Sequence, residues 1–284
     1  MHRHTRRQGN WLPTIETRPD RVVIQLLGGF DVSVDGTVRL EGAWRRRTAA
    51  SLVKVLALAP GQRLHREQVI DLLWPDESPA DAAPKLHKAA HYARRAVGRD
   101  DAVVLRNDVV QLFPGADLTV DVVVFDELSR RALAGADPGL ARDAIDHYGG
   151  ELLPDDRYED WAEERRELLR LRHLNLLRLA GQWMELSELE PGDEAAHVEL
   201  MREHVANGDA SAALQQYERL ERVLDREFGM TPGPAARELR DAAKASPSPC
   251  LSVEQVVAEL AELTRRQAIL LESLAASERE CASC

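Results

Sequence analysis

The chain has 284 residues, room for roughly two domains and a substantial core. No apolar run approaches the roughly 20 residues of a membrane helix, and the basic start MHRHTRRQGN is not followed by an apolar signal core, so a soluble, cytoplasmic protein is expected. The formal charge of −11 argues against a nucleic-acid partner until it is divided: residues 1–110 sum to +5 and residues 111–284 to −16. A basic first part joined to an acidic remainder is the pattern of a polyanion-binding module coupled to a partner-binding one.

Residues 1–20, polar and basic with Pro13 and Pro19, read as a flexible arm. A strand signal follows. Val22, Val23, Ile24, Leu26 and Leu27 lead into Gly28-Gly29, after which Phe30, Val32 and Val34 alternate with Asp31, Ser33 and Asp35. Asp35-Gly36 is a hairpin turn, and Val38 and Leu40 continue the alternation, so a small antiparallel sheet is expected. Arg45, Arg46, Arg47 and Thr48 open a helix carrying Leu52, Val53 and Leu56, which Ala59-Pro60-Gly61 ends. A second helix runs from about His65 to Trp74. The loop Pro75-Asp76-Glu77-Ser78-Pro79 is acidic and stiff.

Residues 81–97, DAAPKLHKAAHYARRAV, form the most informative segment, a helix with two incompatible faces. At 100° per residue Leu86, Ala90, Ala93 and Val97 share a narrow apolar stripe that requires a core. Lys88, His91, Tyr92 and Arg95 lie opposite, with Lys85 and His87 at the edges; Arg94 lies toward the core side and suits a phosphate. Pro84 is read as part of the first turn. A cationic face without acids suits a polyanion, and an α-helix fits the major groove of DNA; a solvated basic face is the plainer alternative. Two strands, 103–105 and 109–113, then flank the polar tip Arg106-Asn107-Asp108.

Strands, three helices and a hairpin within about 95 residues make a winged helix-turn-helix. In that frame the helix at 81–97 enters the groove, Arg106 tips the wing, and Arg45, Arg46, Arg47 and Arg66 stand at helix starts, where backbone N–H groups also face phosphates. Arginines at an N-terminus oppose the helix dipole, which a phosphate partner would relieve.

Beyond residue 120 the chain is almost wholly helical: 126–133, 139–148, 158–182, 194–207, 211–228 and 235–244 all show helical spacing. Ala213 and Tyr217 stand where tetratricopeptide repeats place a small residue and an aromatic, which favours stacked helix hairpins. Asp155-Asp156 and Glu159-Asp160 precede a helix start, where acids complement the dipole, rather than forming a paired-carboxylate site. Ser246-Pro247-Ser248-Pro249 is a linker. Val256, Leu260, Leu263, Leu270 and Leu274 in a last helix approximate heptad positions, a seam for dimerisation or for packing on the body of the protein.

The sequence holds no phosphate-binding P-loop, no HExxH and no GxSxG, so no enzyme, no cofactor and no metal site are expected. His87 and His91 are spaced i, i+4 but sit among cations with no third ligand. Cys281 and Cys284 have CxxC spacing without a nearby histidine or second pair, so they and Cys250 read as reduced tail residues.

These motifs resemble those of the Streptomyces antibiotic regulatory protein (SARP) family, transcriptional activators that join an OmpR-type winged helix to a bacterial transcriptional activation domain. The resemblance is carried by GGFDVSVDG at 28–36, RRRTAASLVKVLALAPGQRLHREQVIDLLWPD at 45–76, KLHKAAHYARRAVG at 85–98, VVLRNDVVQLFP at 103–114, YGGELLPDDRYEDWAEERRELL at 148–169 and QQYERLERVLDREFGMTPGP at 215–234. It implies groove contacts from Lys85, Lys88, His91, Arg94 or Arg95 and backbone contacts from Arg46, Arg47 and Arg66. It also makes Asp76, Glu77 and Ser78 a loop facing RNA polymerase. His65 departs from the family's frequent Ser or Thr cap, and the large ATPase region of many relatives is absent.

The expected fold is mainly α with small β: an arm (1–20), a winged helix-turn-helix (21–116), an all-α TPR-like activation domain (120–245), then a linker and C-terminal helix (246–284). The expected function is that of a sequence-specific, nucleoid-associated DNA-binding activator that binds direct repeats near promoters, recruits RNA polymerase and can form a homodimer. The alternative is a protein-interaction adaptor whose winged helix does not bind DNA.

Overall fold

The computed structural model describes residues 21–40, 44, 46–245, 261 and 264–267. The expectations for the N-terminal arm, Arg45, the linker, most of the C-terminal helix and all three cysteines lie outside these residues. The chain divides into two compact units, residues 1–182 and 183–284.

The first unit opens with β1 (Arg21–Gln25), β2 (Asp31–Val34) and β3 (Thr37–Leu40). The Asp35-Gly36 turn closes the second hairpin with positive φ at both residues, as its sequence predicts. The sheet is not wholly antiparallel. A strand absent from the sequence reading, β7 (Asp117–Val120), pairs parallel to β1, and the order is β3-β2-β1-β7. DLTV is short and half-polar, so periodicity alone does not mark it; pairing with β1 supplies its ladder.

α1 (Arg47–Leu58), α2 (Arg66–Leu73) and α3 (Pro79–Val97) follow, and β5 (Val103–Arg106) and β6 (Val109–Leu112) form the wing. The wing gains an unexpected third strand, β4 (Arg63–His65), on the far side of β6. α3 starts two residues earlier than expected. Ser78 caps it by accepting from the Asp81 N–H, and Pro79 takes the first position. Pro84 is therefore inside the helix, not in its first turn, and removes one helical hydrogen bond. Gly98, at φ 80°, ends the helix in the left-handed conformation.

α4 (Asp121–Gly135), α5 (Pro138–Asp146) and α6 (Asp160–Ala180) belong to the same compact unit. One core joins them to the winged helix: Leu26, Leu52, Leu56 and Leu86 share it with Phe125, Leu152 and Leu169. The Asp121 carboxylate accepts from the Leu26 and Leu27 N–H groups at 2.9 and 2.8 Å, tying the start of α4 to the end of β1. Its pKa is raised by burial, against the lowering effect of those hydrogen bonds.

The second unit contains α7 (Trp183–Leu189), α8 (Glu194–Ala206), α9 (Ala210–Phe228) and α10 (Pro234–Ala245). The α8–α9 hairpin packs Val198 and Met201 on Tyr217, Leu220 and Leu224, and Ala236 of α10 closes the cluster. Ala213 and Tyr217 are both buried, as the repeat pattern predicts. Asp193 and Asp209 cap α8 and α9 with their carboxylates. His197 is sealed in this unit. Gln216 donates to its Nδ1 at 2.8 Å and its Nε2–H donates to the Pro191 carbonyl at 3.1 Å.

Candidate nucleic-acid interface

The two faces of α3 separate as the helical wheel requires. Leu86, Ala90, Ala93 and Val97 are buried, joined by Ala82 and Ala89. Lys85, His87, Lys88, His91 and Arg95 are exposed, and Tyr92 is half-buried. The stripe contributes most of the core contacts that hold α3 in place, Tyr92 packs at its margin, and the cations of the opposite face project outward.

Around this face the other predicted cations divide into three groups. At the start of α1, Arg46 lays its guanidinium over the Tyr92 ring, 5.3 Å from the centroid. No side chain caps α1 and no acid lies in its first turn, so no carboxylate offsets the positive end of its dipole there. Between the start of α1 and α3 lies a cleft of about 180 Å³ lined by Arg46, Thr48, Trp74, Lys85, Lys88 and Tyr92. Arg47 is drawn the other way, its Nη2 lying 2.9 Å from Glu159 at the start of α6. With Arg47 mostly exposed, that pair is a weak tether and is readily exchanged for another anion.

The second group lies between α2, α3 and the wing. A cleft of about 160 Å³ is lined by Arg66, His87, Arg106 and Asn107. The Arg66 N–H donates to the Asp108 carbonyl at 2.7 Å, fixing the wing tip against the start of α2. Asn107 and Asp108 carry φ of 51° and 58°, which turns the hairpin tightly and leaves Arg106 exposed beside it. His65 stands at the N-cap of α2, and its backbone N–H is taken by the Gln68 side chain at 2.9 Å.

The third group leaves the outward face. Arg94 donates from Nε to the Val103 carbonyl at 2.8 Å, a protein acceptor in place of the phosphate expected for it. Its position in the helix turns it toward β5 rather than toward solvent. In the acidic loop, Glu77 pairs with Lys85, and Ser78 caps α3 and donates to Asp81 at 2.6 Å. Asp76 remains exposed.

One interaction was not legible in the sequence. Lys54 of α1 and Asp156, in the turn before α6, form a buried ion pair at 2.6 Å, with side-chain exposures of 1% and 4%. Lys54 also lies 4.6 Å from the centroid of Phe30. In sequence Lys54 is a lone cation in an apolar run, and Asp156 is one of several acids before a helix. Neither signals burial.

Comparison with known proteins now defines the class. A family model described as "Bacterial transcriptional activator domain" matches residues 120–244. Among solved structures, Mycobacterium tuberculosis EmbR in complex with a low-affinity phosphopeptide shares the fold with a TM-score of 0.57 at 19% identity, over 87% of this chain and 72% of that one. No curated protein matches the chain. Residues 120–244 match a bacterial transcriptional activator domain, as the resemblance to SARP-type activators implies, and they follow a winged helix; the likeness to EmbR is one of fold. The domain boundary at residue 120 and the packing boundary at 182 differ: α4–α6 belong to the activator domain in sequence and to the winged-helix unit in packing.

Proposed function

We propose that the protein is a DNA-binding transcriptional activator that reads promoter repeats with α3 and recruits RNA polymerase. The observation that carries the reading is the exposed cationic face of α3, Lys85, Lys88, His91 and Arg95, on a helix whose opposite stripe is locked into the core. A helix of this kind fits the major groove, where lysine and arginine recognise guanine and imidazole donates to either purine. Arg46 and Arg47, with the uncapped start of α1, hold one phosphate run; Arg66 and Arg106 hold another across the wing cleft. Tyr92 keeps Arg46 extended. Arg95 contacts a base or an adjacent phosphate. The acidic loop meets polymerase through the exposed Asp76, while Glu77 is held against Lys85. The protein acts without catalysis, in the cytoplasm at the nucleoid, and pairs as a homodimer on direct repeats.

The test is selection of genomic fragments by the purified full chain, followed by footprinting of the strongest site. The account expects protection of two direct repeats upstream of a promoter, with affinity falling steeply as salt rises. Uniform, salt-insensitive binding or no binding sinks it.

A further inference from the structure

Arg94 is the one cation of α3 that the reading above does not use, and its surroundings give it a role. β5 is an edge strand of the sheet ordered β4-β6-β5, so among the described residues its outer edge has no ladder partner. Arg94 reaches that edge at Val103, the first residue of β5, from the last turn of the helix that carries the reading face. The Arg94 carbonyl is engaged too, accepting from the N–H groups of Gly98 at 2.8 Å and Arg99 at 3.0 Å as the helix ends. One residue thus fixes the end of α3 through its backbone and the start of the wing through its side chain. The next residues add a second brace: Arg99 pairs with Asp101 and lies 5.9 Å from the centroid of Phe113, and the Phe113 N–H donates to the Ala102 carbonyl at 3.1 Å.

We propose that Arg94 is a positioning residue that sets the separation between the reading face of α3 and the wing tip, so that the groove contacts of Lys88 and the backbone contact of Arg106 engage in register. The inference rests on the DNA-binding reading. The strand from Val103 to Arg106 joins the root of the wing to its tip, which β6, itself paired with β4, and the Arg66 N–H contact hold from the other side. A neutral side chain without donors at position 94 releases the root. α3 then docks alone, and the wing contributes little.

The experiment is a double-mutant cycle on the footprinted site with the full chain, reading affinity across a salt series. The variants are Arg94→Met, Arg106→Ala, their combination, and Arg94→Lys, which keeps one donor toward Val103. Thermal melts establish which variants are folded. In the wild-type background Arg106→Ala lowers the dependence of log affinity on log salt by about one unit, the signature of one lost phosphate contact. In the Arg94→Met background the same substitution changes neither slope nor affinity, and Arg94→Lys restores part of the effect. Discrimination against a mutated α3 half-site stays as in wild type throughout. Equal effects of Arg106→Ala in both backgrounds overturn the positioning role. If Arg94→Met does not fold, Arg94→Lys decides: a full wild-type response to Arg106→Ala overturns it, and a reduced response supports it. A wild-type chain that shows no salt-dependent binding fails the DNA reading itself, an outcome distinct from additivity.

Discussion

Lys54 and Asp156 are 102 residues apart in sequence and 2.6 Å apart in the fold, each with its charged group almost wholly shielded from water. The lysine lies in the first helix of the winged helix and the aspartate in the activator domain. The winged helix and the first three activator helices are therefore one packed unit. A buried ion pair is weak evidence for stability by itself, but removing one partner leaves an uncompensated charge.

Lys54→Met is expected to destabilise the first unit by about 3 to 5 kcal/mol, as is Asp156→Leu. The double replacement recovers most of the loss, because two apolar side chains leave no orphan charge. Urea unfolding of the four proteins checks this. Additive losses in the double variant would show that the pair is not the coupled element.

Gly28 is expected to tolerate no side chain. Its φ is +78°, and a Cβ there would sit 2.2 Å from the Gly149 carbonyl oxygen. The close approach lets the Gly28 N–H donate to the Glu151 carbonyl at 2.9 Å, joining the β1–β2 loop to the segment before α6. Gly28→Ala combines left-handed strain with a backbone collision and costs roughly 2 kcal/mol or more. A lowered thermal midpoint tests it, with Gly29→Ala as control, since a Cβ at Gly29 meets nothing within 4 Å.

His173 sets a pH dependence. Burial lowers its pKa from 6.5 to about 4, and its ring stacks on Tyr148 with centroids 4.0 Å apart. Above pH 6.5 the folded and unfolded chains both carry it neutral, and its contribution to stability is complete. As pH falls from 6.5 toward 4 the unfolded chain takes up the proton first, and stability declines by up to roughly 3 kcal/mol. His197, whose pKa burial also lowers, acts in the same direction on the second unit. His173→Phe keeps a stacking ring and removes the titration. Its urea midpoint for the first unit is expected to change less between pH 7 and pH 4.5 than that of the wild type; an unchanged slope contradicts the assignment.

Much of this architecture is legible in the sequence because it is periodic. The stripe Leu86, Ala90, Ala93, Val97 orients α3, and with it Lys88, His91 and Arg95, before any coordinates are known. Asp35-Gly36 and Ala213 with Tyr217 announce their hairpins by local chemistry. What the sequence hides is tertiary. β4 and β7 are short segments whose identity as strands comes from distant partners, Val109–Gln111 and Arg21–Ile24. Lys54 and Asp156 are typical surface residue types, and only the fold brings them together. Arg94 looks like another DNA cation until β5 is placed beside it. Pro84 looks like a helix-start proline because the true start, capped by Ser78, lies two residues further back.

The central claim is that α3 reads sequence while the start of α1 holds the backbone. The most direct measurement compares Lys88→Ala and Arg46→Ala by affinity for the footprinted operator and for unrelated DNA of equal length. Lys88→Ala is expected to weaken operator binding by about 1 to 3 kcal/mol while leaving unrelated DNA nearly unaffected, and Arg46→Ala to weaken both alike with a shallower salt slope. Operator binding unchanged by both substitutions in folded protein would contradict the account and leave the winged helix as a protein-binding module.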